Sequence, residues 1–296
     1  MKQYGMGSRL AHEYESRAFK QPPPTPLVVG EGFMPSRKRA GINPAPTVGE
    51  GGGEGELSRG VLTGGIIAAG EGSRLKRDGL RMPKPMVPIA GVPLIERVVS
   101  NYVKVGITQL WIIFNEDDRE CSTFIQERFP NLDIRCIVKT TRSSYESFWE
   151  IGGRAGSGLI LMSTVDWICP EAAFLRFVDQ ARRCRQASVV LAVTPFVADE
   201  KPLWATLDPS GRVTGIGGNS GDVVTAGLYL VSGSVFAKAP HPSTLCRLRD
   251  FLTWMVDRGV PVHGVVIDQV IDVDRAEDLH LAEKFVRDHE WAPSDS

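Results

Sequence analysis

The strongest constraint on the fold is an alternation of short apolar segments and amphipathic segments that starts near residue 62. Residues 62–69 are apolar and stop at Gly70, which is typical of a buried strand, and 93–105 carry apolar residues at helical spacing behind a proline. Alternating strands and helices build a parallel sheet with helices on both faces. The same patterns predict these further elements: strands at 109–114, 134–138, 159–164, 187–194, 262–266 and 270–272, and helices at 118–129, 143–151, 170–182, 245–258 and 276–286.

One region departs from this alternation. Short strand-like pieces within 203–229 are separated by turn-forming sequences at 208–211 and 217–221. Such spacing is typical of antiparallel strands joined by tight turns. The sequence therefore predicts an α/β fold with a mostly parallel sheet and an inserted antiparallel meander.

Composition separates the first 60 residues from the rest. They hold 11 glycines and 7 prolines and show no sustained periodicity, whereas the other 236 residues hold 20 glycines and 13 prolines. Abundant Gly and Pro without apolar periodicity is typical of disorder. We expect a disordered extension over 1–58 and a single α/β domain over 59–296.

The overall composition argues against several classes of function. Lys and Arg number 34 against 35 Asp and Glu, a balance that is unusual for a nucleic-acid-binding protein. No apolar run approaches the roughly 20 residues of a membrane helix, so we expect no membrane partner. The five cysteines form no C-x-x-C pair and the five histidines no metal-binding pair. We therefore expect a cytoplasmic protein with reduced thiols, without a disulfide framework or a zinc site.

Within the segment 64–75 the first strand opens into a glycine-containing loop. Ligands of open α/β sheets bind at this carboxyl edge, and glycines let backbone N–H groups approach phosphate oxygens. Two common motifs do not fit. Glu71 stands at the lysine position of a Walker A motif that starts at Gly65, and Leu75 stands at the third glycine position of a dinucleotide-binding motif. A nicotinamide-dependent oxidoreductase is therefore disfavoured, while the loop still indicates a phosphate site.

Two basic residues follow in the sequence. Lys84 lies ten residues after Arg74, between Pro83 and Pro85, which restrict the backbone. A lysine presented from a stiff segment beside a phosphate-binding loop suits stabilisation of a phosphoryl transition state. Taken alone, the segment is equally compatible with a turn that exposes a solvated lysine.

Segments 64–75, 83–85 and 89–94 together resemble the opening of the sugar-phosphate nucleotidyltransferases, the broad group that contains the MobA-like NTP transferase domains. The family pattern is roughly an L-A-A-G-x-G-[ST]-R-[LM] loop followed by P-K-P and G-x-P-[LM], and this sequence matches nearly every element. The resemblance implies a Rossmann-like three-layer α/β/α nucleotidyltransferase fold with Mg²⁺ as cofactor. The implied reaction transfers a nucleoside monophosphate from an NTP to a phosphorylated small molecule and releases pyrophosphate.

The resemblance continues along the domain. Residues 159–166 match the strand whose terminal aspartate binds Mg²⁺ in the family, although Val165 replaces a common glycine. Residues 271–279 match the closing segment whose second aspartate is the other metal ligand. Residues 139–147 are most similar to the base-reading segment of small cytidylyltransferases that act on choline, polyol or phosphonate substrates, and 225–229 match an acceptor-side strand.

The resemblance implies site residues in four groups. They are catalytic Arg74 and Lys84; nucleotide-binding Ala68, Ala69, Gly70, Gly72, Ser73, Thr141, Ser143 and Ser144; metal-binding Asp166 and Asp274; and acceptor-binding Gly227 and Tyr229.

The two metal-binding assignments have a simpler alternative. Asp166 would then only cap the helix that follows Pro170, and Asp274 the helix at 276–286, with Glu277 completing a capping box. Asp272 is a neighbouring carboxylate. It either supports the metal ligands without binding the metal itself, or it merely stands at the end of a strand.

The expected function is Mg²⁺-dependent nucleotidyl transfer, with Arg74 on the departing pyrophosphate and Lys84 near the α-phosphate. A non-catalytic nucleotide or sugar-phosphate sensor on the same fold is the alternative. The acceptor stays open, because 214–219 has no counterpart of the glutamate that many sugar-1-phosphate enzymes carry before the meander's turn. The identity of the NTP base stays open as well. A homo-oligomer is compatible with the sequence.

Overall fold

The computed structural model describes residues 62–196 and 201–290. The extension expected over 1–58 lies outside the described residues, as does the expected start of the domain at residue 59. Across the described part of the chain, every helix is too short or too polar to span a bilayer.

The described residues form thirteen strands and seven α-helices. The strands are β1 (Leu62–Ala68), β2 (Pro88–Ile89), β3 (Val92–Pro93), β4 (Gln109–Phe114), β5 (Asp133–Val138), β6 (Leu159–Thr164), β7 (Trp167–Ile168), β8 (Val189–Thr194), β9 (Trp204–Leu207), β10 (Val213–Ile216), β11 (Val223–Ser232), β12 (Val262–Val266) and β13 (Ile271–Asp272). The helices are α1 (Ser73–Arg77), α2 (Leu94–Lys104), α3 (Glu120–Arg128), α4 (Ser144–Ala155), α5 (Glu171–Arg183), α6 (Leu248–Asp257) and α7 (Ala276–Glu290). Short 3₁₀ turns lie at Lys84–Met86, Glu116–Asp118 and Gly233–Ala237.

The centre of the sheet is parallel. β1 lies between β4 and β6, and β5 extends the sheet beyond β4, with every one of these pairs parallel. All seven residues of β1 are buried, as expected of a central strand that is covered on both faces. Because the strands are parallel, the loops after β1, β4, β5 and β6 leave the sheet at the same carboxyl edge.

Two glycines in β1 let side chains from both faces approach the sheet closely. A Cβ on Gly64 would lie 2.6 Å from Leu110 Cδ1 and 2.9 Å from Tyr102 Cδ2. A Cβ on Gly65 would lie 2.7 Å from Ile151 Cγ2. Larger residues here would push α2 and α4 away from the strand that carries the glycine loop.

The antiparallel part of the sheet is built around β11. This strand is antiparallel to both β6 and β8, and β12 is parallel to β8 on the far side. β9 and β10 form a hairpin that joins the start of β11. The predicted mostly parallel sheet with an antiparallel meander is confirmed.

Two hydrophobic cores lie on opposite faces of the sheet. One packs α2, α3, α5 and α7, and the other packs α4 and α6. In β1, Ile66 belongs to the first core and Ile67 to the second, because successive strand residues point to opposite faces. The expected three-layer α/β/α arrangement is confirmed.

Two predicted elements differ in the structure. The helix predicted at 118–129 begins at Glu120, because Glu116–Asp118 form a 3₁₀ turn that the Asn115 side chain caps. The strand predicted at 270–272 is the two-residue β13, which pairs with β7 outside the main sheet. This small ladder, which the sequence patterns do not predict, is important for the site.

Candidate active site

The glycine loop opens at the carboxyl end of β1 and leads into α1. Gly72 has a φ of 60° and is the residue directly before α1, a left-handed conformation that favours glycine. A Cβ at this position would also lie 3.3 Å from Lys84 Cβ. The loop therefore packs directly on the segment that carries the lysine.

Lys84 is buried and is the first residue of the 3₁₀ turn that follows Pro83. Only 9% of its side chain is exposed, so the alternative of a solvated lysine is wrong. Its Nζ lies 2.5 Å from Asp166 Oδ2 and 2.5 Å from Asp274 Oδ1. Arg74 donates to the other oxygen of Asp274. Two cations and two carboxylates, far apart in the sequence, therefore meet at one point.

The β7–β13 ladder brings the two carboxylates together. Trp167 in β7 pairs with Asp272 in β13, and Val273 N–H donates to the Asp166 carbonyl at 3.0 Å. The residues on either side of this ladder, Asp166 and Asp274, are thereby held at the carboxyl edge of the sheet beside the glycine loop.

Helix capping does not account for either carboxylate. At the start of α7, the Asp278 carboxylate accepts from Asp274 N–H and Arg275 N–H, at 2.9 and 2.7 Å. Asp78 accepts from Ala276 N–H at 3.1 Å. Asp278, not Glu277, therefore completes the cap. The Asp274 side chain is directed to Lys84 and Arg74 instead.

Asp166 likewise does not cap α5. The first amides of that helix, on Ala173 and Phe174, donate to the Pro170 carbonyl. The Asp166 carboxylate accepts from Lys84.

The charges of this cluster shift the pKa values of its members. Burial alone would lower the pKa of Lys84, but Asp166, Asp272 and Asp274 outweigh it and raise the pKa well above its usual value. Burial alone would raise the pKa of Asp166, yet the Lys84 charge, together with hydrogen bonds from Lys84 and Thr164, lowers it. Lys84 is therefore an ammonium and Asp166 a carboxylate at neutral pH.

Three carboxylates converge closely enough to hold one divalent cation. Asp166, Asp272 and Asp274 each offer an oxygen, and these oxygens lie within 4.8 Å of one another. Mg²⁺ prefers oxygen ligands of this kind, so the donor set fits the expected metal. Asp272 was not assigned as a ligand from the sequence. The signal for it was its i, i+2 spacing from Asp274, which places two side chains of an extended segment on the same side.

The glycine loop and the charged cluster share a cavity of about 260 Å³. Of the residues assigned from the sequence, those lining it are Ala68, Gly70, Gly72, Ser73, Arg74, Lys84, Ser144, Asp166 and Asp274. The structure thus brings together nine of the fourteen assigned residues.

The hydroxyls assigned to base recognition have different positions. Thr141 Oγ1 is hydrogen-bonded to Ser147 Oγ at 2.7 Å, and Ser143 Oγ accepts from Glu146 N–H at 3.1 Å as the N-cap of α4. Ser144 Oγ accepts from Leu248 N–H. Thr141 and Ser143 thus stabilise their own segment, and Ser144 alone of the three lines the cavity.

Ala69 is the one residue assigned to the nucleotide-binding loop that is not among those lining this cavity. Its carbonyl makes a contact elsewhere. That oxygen accepts from the Asn115 side chain at 3.4 Å. No motif or periodicity in the sequence marks Asn115 as part of a site.

The two residues assigned to the acceptor differ in position. Gly227 has a φ of 68° and lines a neighbouring cleft of about 60 Å³ with Thr164, Thr225 and Asp272. A Cβ at Gly227 would lie 2.7 Å from Thr164 Oγ1. Tyr229 is only 5% exposed and is not among the described residues that line either cavity. Burial, with smaller effects of Asp166 and Asp272, raises its pKa far above the usual value.

Comparisons with known proteins agree with this arrangement. Residues 64–215, just over half of the chain, match the family model of the MobA-like NTP transferase domain. The chain is 22% identical over 233 residues to the 2-aminoethylphosphonate cytidylyltransferase of Lancefieldella rimae, covering 72% of this chain and 89% of that protein. It is 27% identical over 162 residues to the bifunctional protein GlmU of Cellvibrio japonicus, covering 54% of this chain but only 31% of that longer protein.

A solved structure shares the fold. The inositol-1-phosphate CTP transferase from T. maritima superposes with a TM-score of 0.66 at 18% identity, covering 77% of this chain and 97% of that one. At this identity the likeness concerns the fold alone. The family match includes the glycine loop, Lys84 and Asp166. The chain therefore belongs to the family of MobA-like NTP transferase domains, and its class is that of the nucleotidyltransferases.

Proposed function

We propose that this chain transfers a nucleoside monophosphate from an NTP to a small phosphorylated or phosphonylated molecule, in a Mg²⁺-dependent reaction that releases pyrophosphate. The observation that carries the proposal is the shared cavity of about 260 Å³, in which the glycine loop faces buried Lys84, Asp166 and Asp274. A glycine loop favours phosphate, and the carboxylates favour a cation that accompanies phosphate.

The glycine loop binds the triphosphate in this proposal. Backbone N–H groups of Gly70, Gly72 and Ser73 donate to the phosphate oxygens, and at the two glycines no Cβ obstructs the approach. Arg74 neutralises the departing pyrophosphate. Its present partner, Asp274, holds the guanidinium at the edge of the same cavity.

Asp166, Asp272 and Asp274 hold the Mg²⁺, which supplies charge neutralisation and orientation of the phosphates when bound. Lys84 adds a positive charge whose position is limited by its burial and by Pro83 and Pro85. A fixed charge is most effective where negative charge is redistributed during the reaction.

The attacking group is an oxygen of the acceptor's phosphate or phosphonate. This oxygen forms a bond to the α-phosphorus of the NTP while the bond to the bridging oxygen of pyrophosphate breaks. The dianion is already nucleophilic, so the reaction requires no general base and no covalent enzyme intermediate. Catalysis then consists of positioning and charge stabilisation.

The acceptor side of the proposal uses the cleft beside Asp272 and Gly227, which shares Thr164 with the nucleotide cavity. The segment 214–219 carries no carboxylate, which favours a short-chain phosphonate, phosphocholine or a small polyol phosphate over a hexose phosphate. The similarity to a 2-aminoethylphosphonate cytidylyltransferase supports the same class of acceptor and suggests CTP as the nucleotide.

All five cysteines are free thiols: Cys121, Cys136, Cys169, Cys184 and Cys246. Free thiols agree with a reaction in the cytoplasm.

A pyrophosphate-release screen tests the proposal. Each of CTP, UTP, GTP, ATP and dTTP is combined with 2-aminoethylphosphonate, phosphocholine, inositol phosphate and hexose 1-phosphates, with Mg²⁺ or with EDTA. We expect release with one NTP and one small acceptor only when Mg²⁺ is present, and, by ³¹P NMR, a product in which the nucleoside monophosphate is joined to the acceptor through a P–O–P linkage. NTP binding without turnover on any acceptor would instead indicate the non-catalytic sensor.

A further inference from the structure

The order of the sheet places one residue between two loops of the proposed nucleotide site. β4 lies between β1 and β5, and β4 ends at Phe114, so Asn115 is the first residue beyond its carboxyl end. The glycine loop leaves from β1 on one side, and the segment 139–144 leaves from β5 on the other. A side chain at Asn115 is therefore in reach of both.

The Asn115 side chain makes contact with both loops. It is only 5% exposed. Its Nδ2 donates to the Ala69 carbonyl at 3.4 Å, and its Oδ1 accepts from Thr140 Oγ1 at 3.2 Å. The same Oδ1 accepts from Asp117 N–H at 3.1 Å. Burying the Asn115 amide costs free energy unless its polar atoms form hydrogen bonds. These hydrogen bonds therefore hold both loops at fixed positions relative to Asn115.

We propose that Asn115 is a positioning residue that sets the spacing between the glycine loop and the segment 139–144. The inference rests on the proposed function, in which the first loop binds the triphosphate; the second loop contributes Ser144 to the lining of the same cavity and contacts the nucleoside part of the NTP. One nucleotide must then contact both loops at once. When the two loops already have the right spacing before the NTP binds, the second contact forms at high effective concentration. Less conformational entropy is then lost on binding.

This role makes a prediction that a purely structural role does not. Loss of the bridge weakens a ligand that contacts both loops, but not a ligand that contacts the glycine loop alone. Tripolyphosphate with Mg²⁺ is such a partial ligand. A general loss of folding would weaken both ligands and lower the melting temperature as well.

The experiment compares wild type, Asn115→Ala and Thr140→Val by calorimetric titration with Mg²⁺ and each of CTP, UTP, GTP, ATP and dTTP, and then with Mg²⁺ and tripolyphosphate. For the NTP that wild type binds most tightly, we expect Kd to rise roughly tenfold in each variant, as for the loss of one or two hydrogen bonds. Tripolyphosphate Kd should change less than about twofold. In turnover assays KM for that NTP should rise while kcat changes little. Thr140 is exposed, so Thr140→Val should fold normally. It therefore tests the same bridge even if Asn115→Ala misfolds.

Three comparisons complete the test. The double variant should bind no more weakly than Asn115→Ala, because Thr140 reaches the glycine loop through Asn115. Gln126→Ala is the matched control, since the Gln126 amide donates to the Ile134 carbonyl at 3.3 Å, near the other end of β5. Glu116→Ala removes the second acceptor of the Thr140 hydroxyl, at 3.1 Å, and should leave NTP affinity within about twofold.

The outcomes separate this inference from the proposed function. If wild type binds no NTP, the proposed function fails and the inference fails with it. If wild type binds NTP and Asn115→Ala binds it equally well, only the inference is overturned. Equal weakening of NTP and tripolyphosphate would also overturn it, because the residue would then support the fold rather than the spacing of the loops.

Discussion

The ammonium of Lys84 lies 2.5 Å from the carboxylate of Asp166, at the carboxyl edge of the sheet. The pKa of Asp166 is lowered, so its stabilising effect is present above the ordinary carboxyl pKa of about 3.9 and is lost only at lower pH. The pKa of Lys84 is raised, so its effect is present below the ordinary amine pKa of about 10.4 and is lost only above it. The pair therefore stays charged at every pH at which a nucleotide would be used.

We expect Asp166→Asn and Asp274→Asn each to abolish turnover while the fold survives. Removing a ligand's charge should cost several kcal/mol of transition-state stabilisation, or on the order of 10³-fold in rate. Pyrophosphate release measures turnover and circular dichroism checks the fold. Asp179→Asn is the control, because Asp179 is 61% exposed on α5 and pairs with Arg183. Normal turnover in Asp274→Asn would mean that this carboxylate only orients Lys84 and Arg74.

Lys84→Ala and Arg74→Ala should differ in their kinetics. Buried Lys84 cannot follow a mobile substrate, so its loss should lower kcat by about 100-fold or more and change NTP Kd little. Arg74 is more exposed and should bind the triphosphate in both ground and transition states, so its loss should raise Kd by about tenfold and slow the reaction.

Steady-state kinetics at saturating acceptor, with direct NTP titration, separate these effects, because KM need not equal Kd. Lys104→Ala is the control, since Lys104 is 43% exposed and pairs with Glu171 on the surface. Loss of NTP affinity with kcat intact in Lys84→Ala would make the lysine a binding residue.

Gly72→Ala should both destabilise the protein and slow catalysis. The φ of 60° costs an L-residue roughly 1–2 kcal/mol, and the new methyl would lie 3.3 Å from Lys84 Cβ. Thermal unfolding and pyrophosphate release measure the two effects. Gly153→Ala is the matched control, since it lies inside α4 with nothing within 4 Å of an added Cβ. It should stabilise by about 0.5–1 kcal/mol and leave activity unchanged; a slower Gly153→Ala enzyme would argue against a local effect at Gly72.

Glu146→Gln should reduce the loss of stability in acid. Burial alone would raise the pKa of Glu146, but hydrogen bonds from the Arg142 backbone and from the Lys139 and Arg142 side chains lower it to about 2. The carboxylate therefore stabilises the fold above its ordinary pKa of about 4.3, and this contribution is lost as the pH falls toward 2. Its partners Lys139 and Arg142 are 40% and 65% exposed, so we expect about 1 kcal/mol.

Urea unfolding at pH 6 and pH 3 measures this effect. The difference in unfolding free energy between the two pH values should be smaller in Glu146→Gln than in wild type. Glu127→Gln, at an exposed position on α3, should behave as wild type. Identical pH dependence in wild type and Glu146→Gln would show that other carboxylates govern the acid limb.

Local patterns predicted the elements of the fold and part of the site. The apolar segment at 62–69 and the glycines after it predict β1 and its loop, because strand periodicity and left-handed turns are encoded by neighbouring residues. Pro83 and Pro85 predicted a stiff segment around Lys84 for the same reason. The two aspartates, 166 and 274, were assigned by resemblance, while their residue-level alternative was helix capping.

Only the tertiary structure decided which groups meet. Burial of Lys84 between Asp166 and Asp274, the third carboxylate of Asp272, and the contacts of Asn115 all join segments that are distant in the sequence. The β7–β13 ladder that aligns the carboxylates is only two residues long, too short to leave a periodic signal. Side-chain direction at such positions depends on sheet order and long-range backbone pairing, and neither is encoded in the local succession of residues.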